Sequence, residues 1–158
     1  MGGVTAMSNN IDLSEYVTFT TGGQIFGLPI ERVQEVFRPA RITRVPLAGA
    51  QIAGVLNLRG RIVTAIDMRS RLDLHERGEG AAPMAIGIES GTESFGLLVD
   101  ALGEVMKLPD GERETNPVNL DRKLARVSAG VCRLDGQLLV ILDIDRVLDF
   151  GAEAQAAA

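Results

Sequence analysis

Short apolar segments separated by glycine-containing turns run along the whole chain, and they predict strands rather than long helices. The segments with this character are residues 16–20, 24–28, 54–58, 61–66, 84–89, 94–98, 127–134 and 137–142. They stand in pairs around Gly22-Gly23, Arg59-Gly60, Gly91 and Asp135-Gly136, so each pair is predicted to form a hairpin. Residues 138–142 are apolar without alternation, which indicates a strand covered on both faces.

Less regular segments join these hairpins. Residues 30–36 are apolar at every third position, which fits either a short helical turn or a bent strand. Asp67 and Asp143 stand where N-caps belong, so a short helix is expected after each of them. Asp100 is expected to cap a further turn, and residues 107–126 are predicted to form a long polar loop.

The second half of the chain resembles the first. At an offset of 69 residues, Phe26-Gly27-Leu28 falls on Phe95-Gly96-Leu97. After a slip of seven residues, Ala53-Gly54-Val55 falls on Ala129-Gly130-Val131. The alternative is that two similar hairpins arose by coincidence, but coincidence would not keep the glycines in step with the turns. We therefore interpret the chain as an internal duplication.

Short strands leave open edges unless their sheet closes on itself, so the pattern predicts an all-β fold of small barrels. We expect two barrels packed side by side, one for each copy, with an apolar core between them. The first barrel is predicted at about residues 15–76 and the second at about 83–150. Residues 1–14 are predicted to be a flexible leader and residues 151–158 a flexible tail.

Composition narrows the classes of function. The chain has 21 acidic and 16 basic residues, a net charge of −5, which argues against binding to nucleic acid. It has one His and one Cys, too few for a Cys/His zinc site or a disulfide framework. No apolar run approaches the roughly 18 residues that a membrane-spanning helix needs, so direct insertion into a membrane is not expected. No cofactor is expected either.

Four short motifs, in the order and at the spacings that they have in this chain, resemble those of the CheW family. CheW proteins are the scaffold proteins of bacterial chemotaxis that couple transmembrane chemoreceptors to the histidine kinase CheA. The motifs are Gln24-x-Phe26-Gly27-Leu28-Pro29-Ile30, Val33-Gln34-Glu35-Val36, Ile52-x-Gly54-Val55-x-Asn57-Leu58-Arg59-Gly60 and Asp67-x-Arg69. The resemblance implies a single CheW-like domain over residues 15–150, built as two pseudo-symmetric five-stranded SH3-like barrels. It also implies a non-catalytic adaptor that is recruited to membrane receptor arrays. A cytoplasmic location is expected because the sequence shows no secretory signal and no membrane span, and the protein is expected to be monomeric by itself.

The resemblance further implies where the partners bind. The helical tip of a methyl-accepting chemotaxis receptor would lie in the groove between the barrels, with candidate contacts at Val33, Gly54, Leu102, Val105 and Gly130. The regulatory domain of CheA would bind one barrel end, with candidate contacts at Glu35, Asn57 and Arg59. An ion pair between Glu35 and Arg59 is expected to orient the Arg59 guanidinium for a partner.

Each candidate has a structural alternative. Arg59 could be a solvated turn residue, although the residue that matches it in the second copy is Asp135, of opposite charge. Gly54 and Gly130 could fit a bulge or a tight bend as well as the close approach of a partner helix. Apolar residues outside the main strands are more often core than interface residues, and this applies to Val33, Leu102 and Val105.

Residues that suggest catalysis or metal binding have plainer interpretations. Cys132 lies in a strand pattern and is expected to be a small buried hydrophobe. His75 is expected to be a solvated loop residue. Asp67, Asp143 and Asp145 suggest a metal site or a pair of catalytic carboxylates, but Asp67 and Asp143 stand at equivalent capping sites of the two copies, which explains them better. The alternatives are a CheW-like scaffold of a pathway unrelated to motility, a small enzyme with a site between the barrels, and a single-stranded nucleic-acid-binding barrel. The single His and the lack of a paired acid and base argue against the enzyme.

Overall fold

The computed structural model describes residues 12–74 and 83–150, which form mostly short strands. The strands are β1 (Leu13–Thr21), β2 (Gln24–Pro29), β3 (Val33–Phe37), β4 (Ile52–Leu58), β5 (Arg61–Asp67), β6 (Met84–Ser90), β7 (Glu93–Val99), β8 (Ala101–Pro109), β9 (Arg113–Glu114), β10 (Ser128–Leu134) and β11 (Gln137–Leu142). The helices are α1 (Met68–Arg71), α2 (Arg122–Val127) and α3 (Ile144–Val147), with 3-10 turns η1 (Ile30–Arg32) and η2 (Asp110–Glu112).

The strands form two sheets, each of which closes. One sheet has the order β3-β6-β7-β5-β4, and Thr43, which follows β3, pairs with Val55 in β4 to close it as barrel 1. The other sheet has the order β8-β1-β2-β11-β10-β9. Only the 3-10 turn η2 separates β8, which pairs with β1, from β9, which pairs with β10, so this interrupted strand closes barrel 2. The prediction of an all-β fold with two barrels is confirmed.

The predicted assignment of one barrel to each copy is wrong. Barrel 1 takes β3, β4 and β5 from the first half of the chain but β6 and β7 from the second. Barrel 2 combines β1 and β2 with the later strands β8 to β11. Residues 15–76 and 83–150 therefore do not form separate barrels, because each barrel receives the first hairpin of one copy and the remaining strands of the other.

The exchange is reciprocal, as the strand register shows. Strand β2 runs parallel to β11 with Phe26 opposite Val140, and β7 runs parallel to β5 with Phe95 opposite Thr64. Phe95 and Phe26 are related by the offset of 69 residues, and Val140 and Thr64 by the offset of 76. The two parallel pairs are thus the same contact made twice, which confirms the internal repeat.

Three apolar clusters follow the same symmetry. Barrel 1 holds a cluster of Leu56, Val63 and Ala65, and barrel 2 holds the equivalent Cys132, Leu139 and Ile141 together with Tyr16. The largest cluster draws on both barrels; its buried members include Phe19, Phe26, Leu28, Ile66, Ile86, Leu97, Val140 and Leu142. Since burial of each large side chain contributes about 1.5–3 kcal/mol, this shared core binds the barrels into one body.

A polar contact supplements the shared core where the barrels meet. Arg69 in α1 forms an ion pair with Asp100, and both side chains are largely buried. The other oxygen of the Asp100 carboxylate accepts a hydrogen bond from the Gly22 amide at 2.9 Å, and the Asp100 amide donates to the Thr20 carbonyl at 3.1 Å. The helix after β5 is thereby fixed to the β1–β2 hairpin of the other barrel.

The predicted caps are confirmed in two of three places. The Asp67 carboxylate accepts from the Arg69 amide at 3.0 Å, and the Asp143 carboxylate accepts from the Arg146 amide at 3.3 Å. The prediction for Asp100 is wrong, because the residues after it continue as strand β8 and its carboxylate contacts Arg69 and Gly22 instead. Leu102 and Val105 stand three residues apart behind an acidic residue, so the segment resembles a capped helical turn in the sequence, although it pairs with β1 as a strand.

Two other segments differ from expectation. Residues 12–14 do not belong to a flexible leader, because β1 begins at Leu13 and the Asp110 amide donates to the Asp12 carbonyl at 2.9 Å. Residues 107–126 are not one loop, since they contain the end of β8, the turn η2, strand β9 and most of α2. The predictions for His75, for the rest of the leader and for the tail lie outside the described residues.

Candidate protein-binding surfaces

The Arg59 tip joins β4 to β5 at the end of barrel 1. Arg59 and Gly60 both have positive φ, 52° and 85°, as a tight hairpin turn of the primed type requires. The Asn57 side-chain oxygen accepts a hydrogen bond from the Gly60 amide at 2.8 Å and so fixes this turn. Asn57 is therefore placed to shape the tip, while Arg59 projects from it with 69% of its side chain exposed.

The predicted ion pair between Arg59 and Glu35 is present. Glu35 lies on β3 and contacts a single terminal nitrogen, Nη2, of the guanidinium. Within residues 12–74 and 83–150 the remaining donors of Arg59 make no hydrogen bond, so they are available to a partner. An exposed pair of this kind adds only about 0–1 kcal/mol to stability, which means that its main effect is on the orientation of the arginine.

A second ion pair, which the sequence motifs do not predict, lies beside the first. Nη2 of Arg61, the first residue of β5, donates to the Glu89 carboxylate and, at 2.6 Å, to the Ser94 hydroxyl. The hydrogen bond from Arg61 holds the pKa of Glu89 below its ordinary value of 4.5. Glu89 and Ser94 belong to β6 and β7, which come from the second copy, and only the exchange of strands brings them to this tip.

The two ion pairs flank a small cavity at the end of barrel 1. The cavity has a volume of about 60 Å³, and Phe37, Val63 and Phe95 are among the apolar residues that line it. Glu35, Arg59, Arg61 and Ser94 line it as well. The cavity therefore combines charged and polar side chains with the edges of apolar ones.

The apolar candidates fall into two groups. Val33 and Leu102 occupy equivalent positions on β3 and β8, and both pack, partly buried, against the shared core. Val105 is 52% exposed on β8, and its equivalent Val36 on β3 is also exposed. Of the candidate receptor contacts, Val105 is therefore the one that offers open apolar surface.

Gly54 and Gly130 are buried, and at both positions the fold leaves no room for a side chain. A Cβ atom at position 54 would lie 2.2 Å from the Thr43 carbonyl oxygen, and one at position 130 would lie 2.9 Å from the Glu114 carbonyl oxygen. Both have positive φ, 149° and 136°, at bulges in β4 and β10. Each glycine lets the strand that closes its barrel cross at short distance.

The remaining candidates do not form a reactive centre in the part of the chain that the structure describes. The Cys132 thiol is buried, as predicted, and burial raises its pKa above the ordinary 9.0. Residues 12–74 and 83–150 contain no group of three or more His, Cys, Asp or Glu side chains that could hold a metal ion. Over the same residues, no helix has the length and apolar character needed to cross a membrane.

Comparison with known proteins identifies the family to which this architecture belongs. The family model described as "CheW-like domain" matches residues 15–151. The chain belongs to the CheW family. A chemotaxis protein CheW of Rhizobium meliloti is 29% identical over 147 residues, which cover 91% of this chain and 92% of that protein. A CheW of Thermotoga maritima is 26% identical over 135 residues, which cover 85% of this chain and 87% of the relative.

The chain is also similar to a solved structure and to part of a longer chemotaxis protein. The crystal structure of the scaffolding protein TtCheW from Thermoanaerobacter tengcongensis matches with a TM-score of 0.79 and 28% identity, over 89% of this chain and 91% of that one. The chemotaxis protein CheA of Salmonella typhimurium is 26% identical over 139 residues, which cover 85% of this chain but only 19% of that protein. These matches confirm the SH3-like double-barrel fold and the prediction of a non-catalytic scaffold protein.

Proposed function

We propose that this CheW-family protein connects chemoreceptors to the histidine kinase CheA through two separate surfaces. The kinase surface is the end of barrel 1, around Arg59, Glu35 and Asn57. The receptor surface is the groove between the barrels, with Val105 as its exposed apolar contact. The observation that carries the proposal is an arginine held at an exposed hairpin tip by a carboxylate from a neighbouring strand.

The two copies of the repeat support a task for the Arg59 tip. The hairpin of barrel 2 folds with Asp135 at the position of Arg59 and with Glu104 at the position of Glu35, and Glu104 forms no ion pair with any described residue. The fold therefore does not require an ion pair at a hairpin tip. A feature that one barrel has and its duplicate lacks, at an exposed place, is more readily explained by binding than by stability.

The groove suits a helical receptor tip for a different reason. Val33 and Leu102 lie where β3 and β8 begin, after the chain has passed from one barrel to the other, and they pack against the shared core. Val105 continues this apolar line onto exposed surface of β8. Apolar residues in a groove are the usual contacts for one face of an amphipathic helix. Gly54 and Gly130 contribute indirectly, because they allow the two barrels to close.

Binding measurements with two variants test both surfaces. The partners are the CheA regulatory domain and a receptor cytoplasmic fragment from the same organism, and each dissociation constant is measured separately. We expect Arg59→Ala to weaken binding to CheA by about tenfold or more while receptor binding stays the same. We expect Val105→Ser to weaken receptor binding and to leave CheA binding unchanged.

Each outcome bears on one surface. Wild-type affinity of the Arg59 variant for CheA would show that the end of barrel 1 is not part of the kinase interface. Wild-type affinity of the Val105 variant for the receptor would show that β8 does not contribute to receptor binding.

Because the same protein would be recruited from the cytoplasm to membrane arrays, a fluorescent fusion is expected to form receptor-dependent clusters. Loss of swimming behaviour in a deletion strain would assign it to motility rather than to another chemosensory pathway.

A further inference from the structure

We propose that Arg61, Glu89 and Ser94 form a specificity-determining cluster that selects which CheA binds at the end of barrel 1. The inference rests on the proposed kinase surface and extends it to residues outside the motifs that carry the family likeness. Arg61 is 56% exposed, and its Nη2 atom is held by Glu89 and by the Ser94 hydroxyl at 2.6 Å. Arg61 and Ser94 line the same cavity as Arg59 and Glu35, and Glu89 contacts Arg61 from outside its lining.

Barrel 2 serves as an internal control for what the fold needs at these positions. The residue equivalent to Arg61 is Gln137, the residue equivalent to Glu89 is Thr20, and the residue equivalent to Ser94 is Ile25. The hairpin β10–β11 nevertheless forms with the same register as β4–β5, from the bulge to the turn, and the hairpin β1–β2 forms with the same register as β6–β7. All three members of the cluster are therefore dispensable for this strand arrangement, and they are present together only in barrel 1.

The energetics point in the same direction. Arg61 and Glu89 are both exposed, and an exposed ion pair contributes little to folding because water and salt screen it. An arginine that is fixed on one side loses less conformational entropy when it binds a partner. In the described part of the chain, Nε and Nη1 of Arg61 make no hydrogen bond, so their three N–H groups remain for a ligand.

The geometry also indicates the chemistry of the partner. Arg59 is the first residue of the tight turn and Arg61 follows the turn directly, and each is held by a carboxylate through a single terminal nitrogen. Two oriented guanidinium groups with free donors match carboxylates on a partner surface. Ile62, which follows Arg61, is 64% exposed and lines an open depression with Arg61 and Ser94. The CheA surface that fits here has acidic side chains beside an apolar one.

Substitutions taken from barrel 2 test the cluster without disturbing the fold. Arg61→Gln introduces the residue type found at position 137, and a triple variant adds Glu89→Thr and Ser94→Ile. Arg133→Gln is the matched control, because Arg133 forms an exposed ion pair with Glu114 on barrel 2. Thermal unfolding of each variant checks that it is folded before binding is measured.

Affinity is measured for two kinases, the CheA regulatory domain of the same organism and that of Salmonella typhimurium. We expect Arg61→Gln and the triple variant to weaken binding to the cognate domain by about tenfold and binding to the Salmonella domain by less than threefold. The salt dependence of cognate binding should decrease in parallel. Arg133→Gln should leave both affinities and the salt dependence unchanged.

Other results overturn the proposal in distinguishable ways. If Arg61→Gln has no effect on either kinase while Arg59→Ala weakens both, the kinase surface stands and the specificity cluster is refuted. Equal weakening for both kinases refutes selectivity and leaves Arg61 as a general contact. If neither Arg59→Ala nor Arg61→Gln changes binding, or if the wild-type protein binds no CheA, the proposed function fails as well.

Discussion

Gly54 and the carbonyl oxygen of Thr43 stand so close that a Cβ atom at position 54 would lie 2.2 Å from that oxygen. The contact occurs where Thr43 pairs with Val55 and closes barrel 1. A glycine that the sequence marks as a possible docking position is therefore a condition for closing the barrel. Loss of receptor binding in a variant at position 54 would reflect damage to the fold.

We expect Gly54→Ala to lower the free energy of unfolding by about 2 kcal/mol or more, since the added methyl group meets backbone and the φ of 149° is strained for alanine. Urea denaturation followed by circular dichroism measures the effect. Gly111→Ala is the control, because a Cβ atom there meets nothing within 4 Å, and its effect should stay below about 0.5 kcal/mol. Equal stability of the two variants would contradict this account of Gly54.

Arg59→Gly separates stability from binding at the hairpin tip. Arg59 has a φ of 52°, which glycine adopts without the penalty of about 1–2 kcal/mol that other residues carry. The melting temperature should therefore not fall, whereas affinity for CheA should fall as far as in Arg59→Ala. A variant that melts lower and still binds CheA would show that Arg59 supports the fold.

The Glu89 carboxyl should titrate below pH 4.5, because its hydrogen bond with Arg61 favours the charged form. Its stabilising effect is present above the pKa of the unfolded chain and is lost as the pH falls through the lower folded value. Carbon-detected NMR of the side chain measures this titration. In Arg61→Gln the midpoint should rise toward 4.5, and an unchanged midpoint would contradict the pairing.

The Cys132 thiol should react with a disulfide reagent only when the protein unfolds. Burial raises its pKa above 9.0, so the thiol stays protonated and shielded at neutral pH. The stability that this protonated thiol contributes is present below the unfolded pKa and is lost as the pH rises through the folded one. The rate of labelling of the native protein at pH 7 is compared with the rate in denaturant. Similar rates would contradict the prediction and would show that barrel 2 opens locally.

A fragment of residues 12–74 should not fold by itself, because barrel 1 would lack β6 and β7 and barrel 2 would lack β8 to β11. Circular dichroism of the isolated fragment should show a disordered chain, and mixing it with residues 83–150 should restore strand content. A fragment of residues 12–74 that unfolds cooperatively without the other half would contradict the exchanged topology.

Local features of the fold follow from the sequence, whereas the pairing between distant strands does not. The caps Asp67 and Asp143 are recognisable because a cap depends on neighbouring residues. Phe26 lies opposite Val140 because β2 pairs with β11 and not with the equivalent strand β5. Since β5 and β11 share the same apolar pattern, the sequence does not distinguish the two pairings.

The same distinction applies to the binding surface at barrel 1. The sequence predicts the pair of Arg59 and Glu35 because both residues lie in motifs of the family. Arg61 stands two residues after Arg59, but its partners Glu89 and Ser94 lie about 30 residues further along the chain, in the second copy. Only the exchanged strands show that these residues meet, and no spacing rule connects them.

The exchange of hairpins has a mechanical consequence. Each barrel is held by polypeptide that belongs to both halves, so pulling the barrels apart would require stripping β1–β2 and β6–β7 out of their sheets. If one partner binds each barrel, the angle and the distance between the two partners would be set by the covalent chain. The two barrels therefore keep a fixed relative position under load. An ordered assembly of many copies would have a constant repeat distance.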